Sequence, residues 1–286
     1  MSPRPTFGLV TIAAADLRRE PRHESELRSQ LLLGEVVCLL GRATADRWIR
    51  VATEGDGYRG WVKTWGIVPA DEAAARQWRR RAAHRVVVPM ASVVGEGWGA
   101  PVLTPAFLGA RLAVIEVRGA RTRVGLPDGR IGILPSRSLA PLTADPPDLA
   151  ARLRSVQGTP YLWGGRTPAG FDCSGLTQVV LAEQGVVLPR DARDQLRATR
   201  RLATEEEPKE GDLVFFGRPG EAVSHVGIML DRSTYVHCRG WVRVASLDPK
   251  STMCDNDLLP QLRAFGRPGR AVRRRLSRAS GGGKSA

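Results

Sequence analysis

Thirty-one Gly and 20 Pro interrupt the 286-residue chain every few positions. That punctuation restricts it to short elements, strands and turns more than long helices. Over 7–69 the apolar runs are brief (LLLGEVVCLLG, RWIRVAT, GDGYRGWVKTWGIV), the rhythm of a small all-β barrel. The Gly-Asp-Gly at 55–57 marks a tight hairpin ahead of YRGWV. Residues 70–85 hold good helix formers and neither Gly nor Pro, which predicts a short basic connecting helix. From 86 to 142 the strand rhythm returns, with Asp128-Gly129 as a hairpin turn, so two small barrels in tandem are expected.

The character changes after TADPPD at 143–148, which reads as a linker. Leu149 to Val156 and Gly175 to Gln184 read as helices, whereas GDLVFFG, HVGIML and TYVHCRG read as strands. Helices followed by strands predict an α+β domain, and the whole segment 143–266 is assigned to it. With 42% hydrophobic and 25% charged residues, the chain can build cores of this kind. No apolar run reaches 18 residues, so no membrane-spanning helix is expected.

Phe7 to Ala15 is a short apolar stretch without a Lys/Arg-rich lead or a small-residue cleavage site, and it is read as a first strand. If the chain is complete, a cytoplasmic location is expected. The formal net charge is +14, and half of it sits in 267–286, which has six Arg, one Lys and no acid. That segment is expected to be a disordered basic tail. Nucleic acid is not expected as a partner, because the basic segments lack interleaved aromatics or a recognised fold signature.

Cys38, Cys173, Cys238 and Cys254 contain no C-x-x-C pair, and the His and Cys spacing shows no zinc pattern. No metal and no cofactor are expected. Cys38, in VVCLL, reads as buried packing. Cys173 is different. Asp172 before it is a helix N-cap type, and Leu176, Val179 and Val180 follow at helical spacing up to Gly185, a C-cap residue. Cys173 therefore opens a helix, where free N–H groups and the macrodipole lower a thiol pKa. A thiolate needs a proton partner, and this domain has two histidines, His225 and His237. Adjacent antiparallel strands would bring both to the helix start, with His225 holding the Cys173 proton and His237 orienting it.

The ordered set YLWGG (161–165), FDCSGL (171–176), LPR (188–190), GDLVFF (211–216), SHVGIML (224–230) and YVHC (235–238) resembles the NlpC-type cell-wall cysteine peptidases. The resemblance covers essentially all of 150–250. It implies a papain-like α+β fold with Cys173 as nucleophile, His225 as base and His237 as third catalytic residue. It also implies Tyr161 near the oxyanion, beside the Cys173 backbone N–H. HESELRSQLLLGEVV followed by YRGWV looks like a bacterial SH3-like domain. Two SH3-like barrels (1–69 and 86–142) ahead of such a domain are similar to γ-D-glutamyl-L-diamino acid endopeptidases. The implied partners are peptidoglycan stem peptides with a free N-terminal L-Ala, cut after γ-D-Glu in wall turnover or recycling. Tyr58 and Glu26 (with Glu24 as rival) resemble amine-binding residues. Asp172, Ser174 and Trp163 match substrate-binding positions. An amidase or acyltransferase on another amide or ester, or a wall-peptide-binding role, are the alternatives.

Overall fold

A computed structural model of the chain describes residues 6–269. Its first unit is a seven-stranded antiparallel sheet. The strands are β1 Phe7–Val10, β2 Ala14–Arg18, β3 Leu27–Leu32, β4 Val36–Leu39, β5 Trp48–Thr53, β6 Arg59–Lys63 and β7 Ile67–Ala70. They lie in the order β3-β2-β6-β5-β4-β1-β7. Leu17, Leu31, Val37, Val51 and Val62 fill its interior. The apolar stretch 7–15, expected as one strand, is divided between β1 and β2 by a bend. Cys38 is only half-buried on β4, because its side chain falls on the less covered part of that strand.

The second unit contains β8 His84–Val86, β9 Met90–Val94, β10 Val102–Phe107, β11 Arg111–Arg118, β12 Arg121–Gly125, β13 Ile131–Pro135 and β14 Leu139–Pro141. Its order, β10-β9-β13-β12-β11-β8-β14, repeats the first sheet strand for strand. In both units a short 3₁₀ turn precedes the last strand. Helix α1, Glu72–Arg81, joins them and is capped by Asp71, which accepts from the Ala74 N–H. The helix is shorter than 70–85, since Ala70 belongs to β7 and His84 and Arg85 to β8. Trp78 buries its indole against both sheets and donates to the Gly34 carbonyl at 2.8 Å.

The third unit packs helices against one face of a sheet. Its helices are α2 Leu149–Ser155, α3 Cys173–Glu183 and α4 Ala192–Ala198. A small ribbon, β15 Arg166–Thr167 with β16 Gly170–Phe171, precedes α3. The main sheet holds β17 Arg200–Arg201, β18 Leu213–Phe216, β19 His225–Met229, β20 Thr234–Arg239, β21 Trp241–Ser246 and β22 Leu262–Arg267, in the order β17-β22-β18-β19-β20-β21. Leu176, Val179 and Val180 of α3 pack on Val226, Ile228, Val236 and Cys238. Arg267, expected in the tail, ends β22 and pairs with Asp212 at 2.7 Å and Glu206 at 2.8 Å. The rest of that expectation, 270–286, lies outside the described residues.

The three units share buried surface. Leu33 of the first lies in the core of the second, and Leu108 of the second in the core of the third. Arg166 binds Glu35 and the Gln30 carbonyl of the first sheet. Buried Glu183 on α3 pairs with Arg85 of the second unit and with Arg152 of α2. Among the described residues no helix is long and apolar enough to cross a membrane.

Candidate active site

Asp172 starts α3. Its Oδ1 accepts from the Gly175 N–H at 2.7 Å, and this capping bond puts Cys173 at the first helical position. The loop before the helix is folded tightly. Gly164 has φ +79°, donates its N–H to Asp172 Oδ2 at 2.9 Å, and would place a Cβ 2.4 Å from the Leu27 carbonyl of β3. Only glycine fits where the backbone both turns left-handed and touches the first sheet. Arg190 closes the arrangement from behind, with its guanidinium on both Asp172 oxygens at 3.0 and 2.5 Å and its Nε on Ser29 Oγ at 2.9 Å.

Helix α3 lies across β19 and β20. The Cys173 thiol faces the chain at 224–226, with the Ser224 carbonyl 4.0 Å from Sγ and the Val226 N–H bonded to it. His225 lies between those two residues. Its Nε2 is 2.8 Å from Nδ1 of His237, across the β19–β20 register that pairs Gly227 with His237. The relay continues: Arg243 on β21 donates from Nε to His237 Nε2 at 3.3 Å and from Nη2 to Asp255 at 2.6 Å. His237 has no solvent exposure.

The expectation of a lowered thiol pKa is not met. Burial pushes the Cys173 thiol up to about 12, nearby Asp172 adds to this, and the N–H groups of Val226 and Ser174 only partly oppose it. Burial likewise holds His225 down to about 4 and His237 down to about 3. The resting pair is therefore a neutral thiol beside a neutral imidazole.

In front of Cys173 opens a cleft of about 570 Å³ between the first sheet and the third unit. Glu26, Tyr58, Tyr161, Trp163, Asp172 and Ser174 all line it. Trp163 donates its indole N–H to Glu26 Oε1 at 3.0 Å. Glu24 is exposed and outside the lining, so Glu26 is the acid that reaches the cleft. Burial, followed by Cys173, raises the Tyr161 phenol, which stays a hydroxyl donor at neutral pH. Asp172 is 7% exposed and spent on the helix cap and Arg190, leaving little to offer a ligand.

Asp191 was not singled out in the sequence. It accepts from the Tyr58 hydroxyl at 3.0 Å, lines the cleft and has no cationic partner among the described residues. Burial and this carboxylate push Tyr58 up to about 12. Arg28, over the Tyr58 ring at 4.7 Å, is likewise without an acidic partner. The visible hint was the LPRD run itself, where an arginine and an acid follow a proline in a polar loop. Arg243 and Asp255 carried no such hint. Among the described residues no group of three or more His, Cys, Asp or Glu is placed to hold a metal.

A cysteine at a helix start, backed by a strand-borne imidazole pair and opening on a polar cleft, defines a thiol-dependent hydrolase. Comparison with known proteins makes this specific. Residues 158–258 match the NlpC/P60 family, and 17–67 match the bacterial dipeptidyl-peptidase Sh3 domain. The chain thus carries an NlpC/P60 peptidase domain behind a bacterial SH3 domain. Dipeptidyl-peptidase 6 of Lysinibacillus sphaericus is 29% identical over 283 residues, covering 90% of this chain and 98% of that protein. Gamma-D-glutamyl-L-lysine dipeptidyl-peptidase of Bacillus subtilis (strain 168) is 40% identical over 82 residues, which is 28% of this chain and 27% of that protein. An NlpC/P60 family protein from Bacillus cereus ATCC 10987 shares the fold, with a TM-score of 0.77 at 20% identity over 91% of this chain and 99% of that one.

Proposed function

We propose that the protein is a cysteine endopeptidase that hydrolyses the bond between γ-D-Glu and a diamino acid in peptidoglycan-derived peptides with a free N-terminal L-Ala. The observation that carries this reading is the shared cleft. Two carboxylates gather with the Tyr58 hydroxyl in front of Cys173: Asp191, which has no cationic partner among the described residues, and Glu26, whose pairing with Arg19 at 3.5 Å is at the surface. A buried ammonium needs such partners. The first barrel closes that end, so the distance to Cys173 measures out a short N-terminal stretch. One relative is named a gamma-D-glutamyl-L-lysine dipeptidyl-peptidase and the other a dipeptidyl-peptidase, which supports release of a dipeptide here. We read the second barrel as SH3-like from its repeated strand order, and the third unit as papain-like.

In this reading Cys173 attacks the γ-carbonyl while its proton passes to His225. The Cys173 backbone N–H and the Tyr161 hydroxyl stabilise the oxyanion. His225 returns the proton to the leaving amine, and water then hydrolyses the thioester. His237 orients His225. Ser174 and Trp163 shape the cleft wall, and Asp172 acts by holding the helix start and Arg190.

The test is cleavage of L-Ala-γ-D-Glu-diaminopimelate and its N-acetylated form, followed by mass spectrometry. Expected is release of L-Ala-D-Glu from the free-amine peptide alone, lost in Cys173→Ala. In Asp191→Asn, kcat/KM should fall about 10- to 100-fold, the worth of one charged hydrogen bond. Equal cutting of both peptides would remove the amine gate. No cutting of either would favour another amide or ester substrate, or a wall-peptide-binding role.

A further inference from the structure

The proton relay behind Cys173 has a direction, and an arginine sets it. A guanidinium only donates hydrogen bonds. Arg243 Nε donates to His237 Nε2 at 3.3 Å, so that nitrogen carries a lone pair. Neutral His237 then holds its proton on Nδ1, 2.8 Å from His225 Nε2, and donates it there. Neutral His225 must in turn hold its own proton on Nδ1, the nitrogen not engaged with His237 and so the one that would serve Cys173 in the proposed mechanism. In this state the imidazole offers the thiol an N–H and no lone pair. The thiol itself has the Ser224 carbonyl as acceptor at 4.0 Å. With both groups acting as donors, no proton can pass from the thiol to this imidazole.

We propose that Arg243 is a positioning residue that holds the relay in this donor state, and that proton transfer from Cys173 requires its guanidinium to let go of His237 Nε2. The step balances through water. His237 is sealed from solvent until the guanidinium moves aside; its Nε2 then takes a proton from a water that enters there, its Nδ1 proton crosses to His225 Nε2, and the His225 Nδ1 proton leaves to a water in the cleft. One proton enters, one leaves, and both rings end with the proton on Nε2. His225 then presents the lone pair a general base needs. While His225 is charged its Nε2–H also points at His237, which forces His237 to carry Nε2–H. Arg243 is therefore excluded throughout the base-competent part of the cycle.

The surroundings suit such a release. Arg243 is anchored by Nη2 on buried Asp255 at 2.6 Å and lies over the half-exposed Trp241 ring at 4.9 Å. A small rotation about that anchor breaks the Nε bond and keeps the ion pair. Asp255 is also held by Arg239 at 2.7 Å. The charges and rings facing the pair are Arg239 and Tyr235 on β20, Arg243 on β21, Asp255 beyond β21, Asp172 at the start of α3 and Phe216 on β18. Both arginines lower the two imidazoles and Asp255 raises them. Removing Arg243 therefore frees the tautomer and raises both pKa values.

This inference rests on Cys173 and His225 as nucleophile and base, and its test uses no peptide. Histidine side-chain ¹⁵N shifts are recorded at pH 7 for the wild type, Arg243→Met and Arg243→Lys. Expected is His237 protonated on Nδ1 in the wild type and in Arg243→Lys, and on Nε2 in Arg243→Met. The rate of Cys173 alkylation by iodoacetamide against pH is the second readout. Its ascending limb should move up by about one unit in Arg243→Met, the low end for a neighbouring charge. His237 protonated on Nε2 in the wild type overturns the inference, even where Arg243→Met does not fold. Unchanged tautomers in a folded Arg243→Met overturn it as well. A protein that shows the expected tautomers but cuts no muropeptide would sink only the proposed substrate.

Discussion

Asp172 stands between two accounts, helix cap and substrate ligand, and its replacement by Ala separates them. The change removes the acceptor of the Gly175 N–H and strips both carboxylate bonds from Arg190. A lost N-cap costs about 1 kcal/mol. The Arg190 side chain is 3% exposed, so it cannot turn to water. Breaking a buried pair by deleting one partner costs about 3–5 kcal/mol. Arg190 keeps the hydroxyls of Ser29 and Ser174, which argues for the lower end. The sum is about 4 kcal/mol, a fall in Tm of about 8–16 °C at 2–4 °C per kcal/mol for a protein of this size. Thermal unfolding followed by circular dichroism at one scan rate measures it. Asp172→Asn keeps an acceptor for Gly175 and should lose about half as much. Adding Arg190→Met to Asp172→Asn should give back part of that loss, because the orphaned charge is gone. An unchanged Tm in Asp172→Ala, with only KM raised, would refute the structural account and return the carboxylate to the substrate.

Stability should also depend on the two histidines. Their folded values, about 4 and about 3, lie below the ordinary 6.5, so the unfolded chain binds their protons first as pH falls. Their contribution is complete above about pH 6.5 and is lost downward toward pH 4, by roughly 1.4 kcal/mol per unit and imidazole; urea midpoints at pH 7 and pH 5 check this, and equal midpoints would contradict it. Gly164→Ala should separate the first barrel from the third unit, because the added methyl meets the Leu27 carbonyl at 2.4 Å from a left-handed backbone. The expected signs are faster proteolysis between the units and loss of peptide cleavage, whereas wild-type behaviour in both would show that the loop can shift.

Local features were readable in the sequence because their causes are local. Asp172 before an apolar helical pattern fixes where α3 starts, and Gly185, with φ +76°, ends it. Alternation along 235–238 sends Tyr235 and His237 to one side and Val236 and Cys238 to the other. The rings of Tyr235 and His237 are 5.1 Å apart, and Cys238 lies in the core under α3. The hairpins at 55–57 and 128–129 follow from their turn residues. What stayed hidden depends on docking. Asp191 meets Tyr58 across 133 residues, and Arg190 meets Ser29 across 161. No periodicity encodes a partner that distant. Arg243 and Asp255 carry no local signal, and only β21 and the loop after it bring them behind His237. The thiol pKa was misjudged for the same reason. A helix start argues for a thiolate, but how deeply the helix is buried depends on everything packed against it.

Arg190 shows why the first barrel and the cleft at Cys173 form one structural unit. One guanidinium joins three things: the cap of α3 through Asp172, the residue after Cys173 through Ser174 Oγ at 2.9 Å, and β3 of the barrel through Ser29 Oγ. Arg166, on the ribbon just before α3, binds the barrel a second time through Glu35 and Gln30. Anything that moves the barrel therefore pulls on both supports of the helix that carries Cys173. The same motion would take Glu26 and Tyr58 from the far wall of the cleft. Docking of the barrel, placement of Cys173 and assembly of the cleft are mechanically one event. A third unit produced without the barrel would keep its motif residues, its sheet and Asp191, yet lose the Ser29 and Glu35 supports of the α3 start and the cleft wall that carries Glu26 and Tyr58.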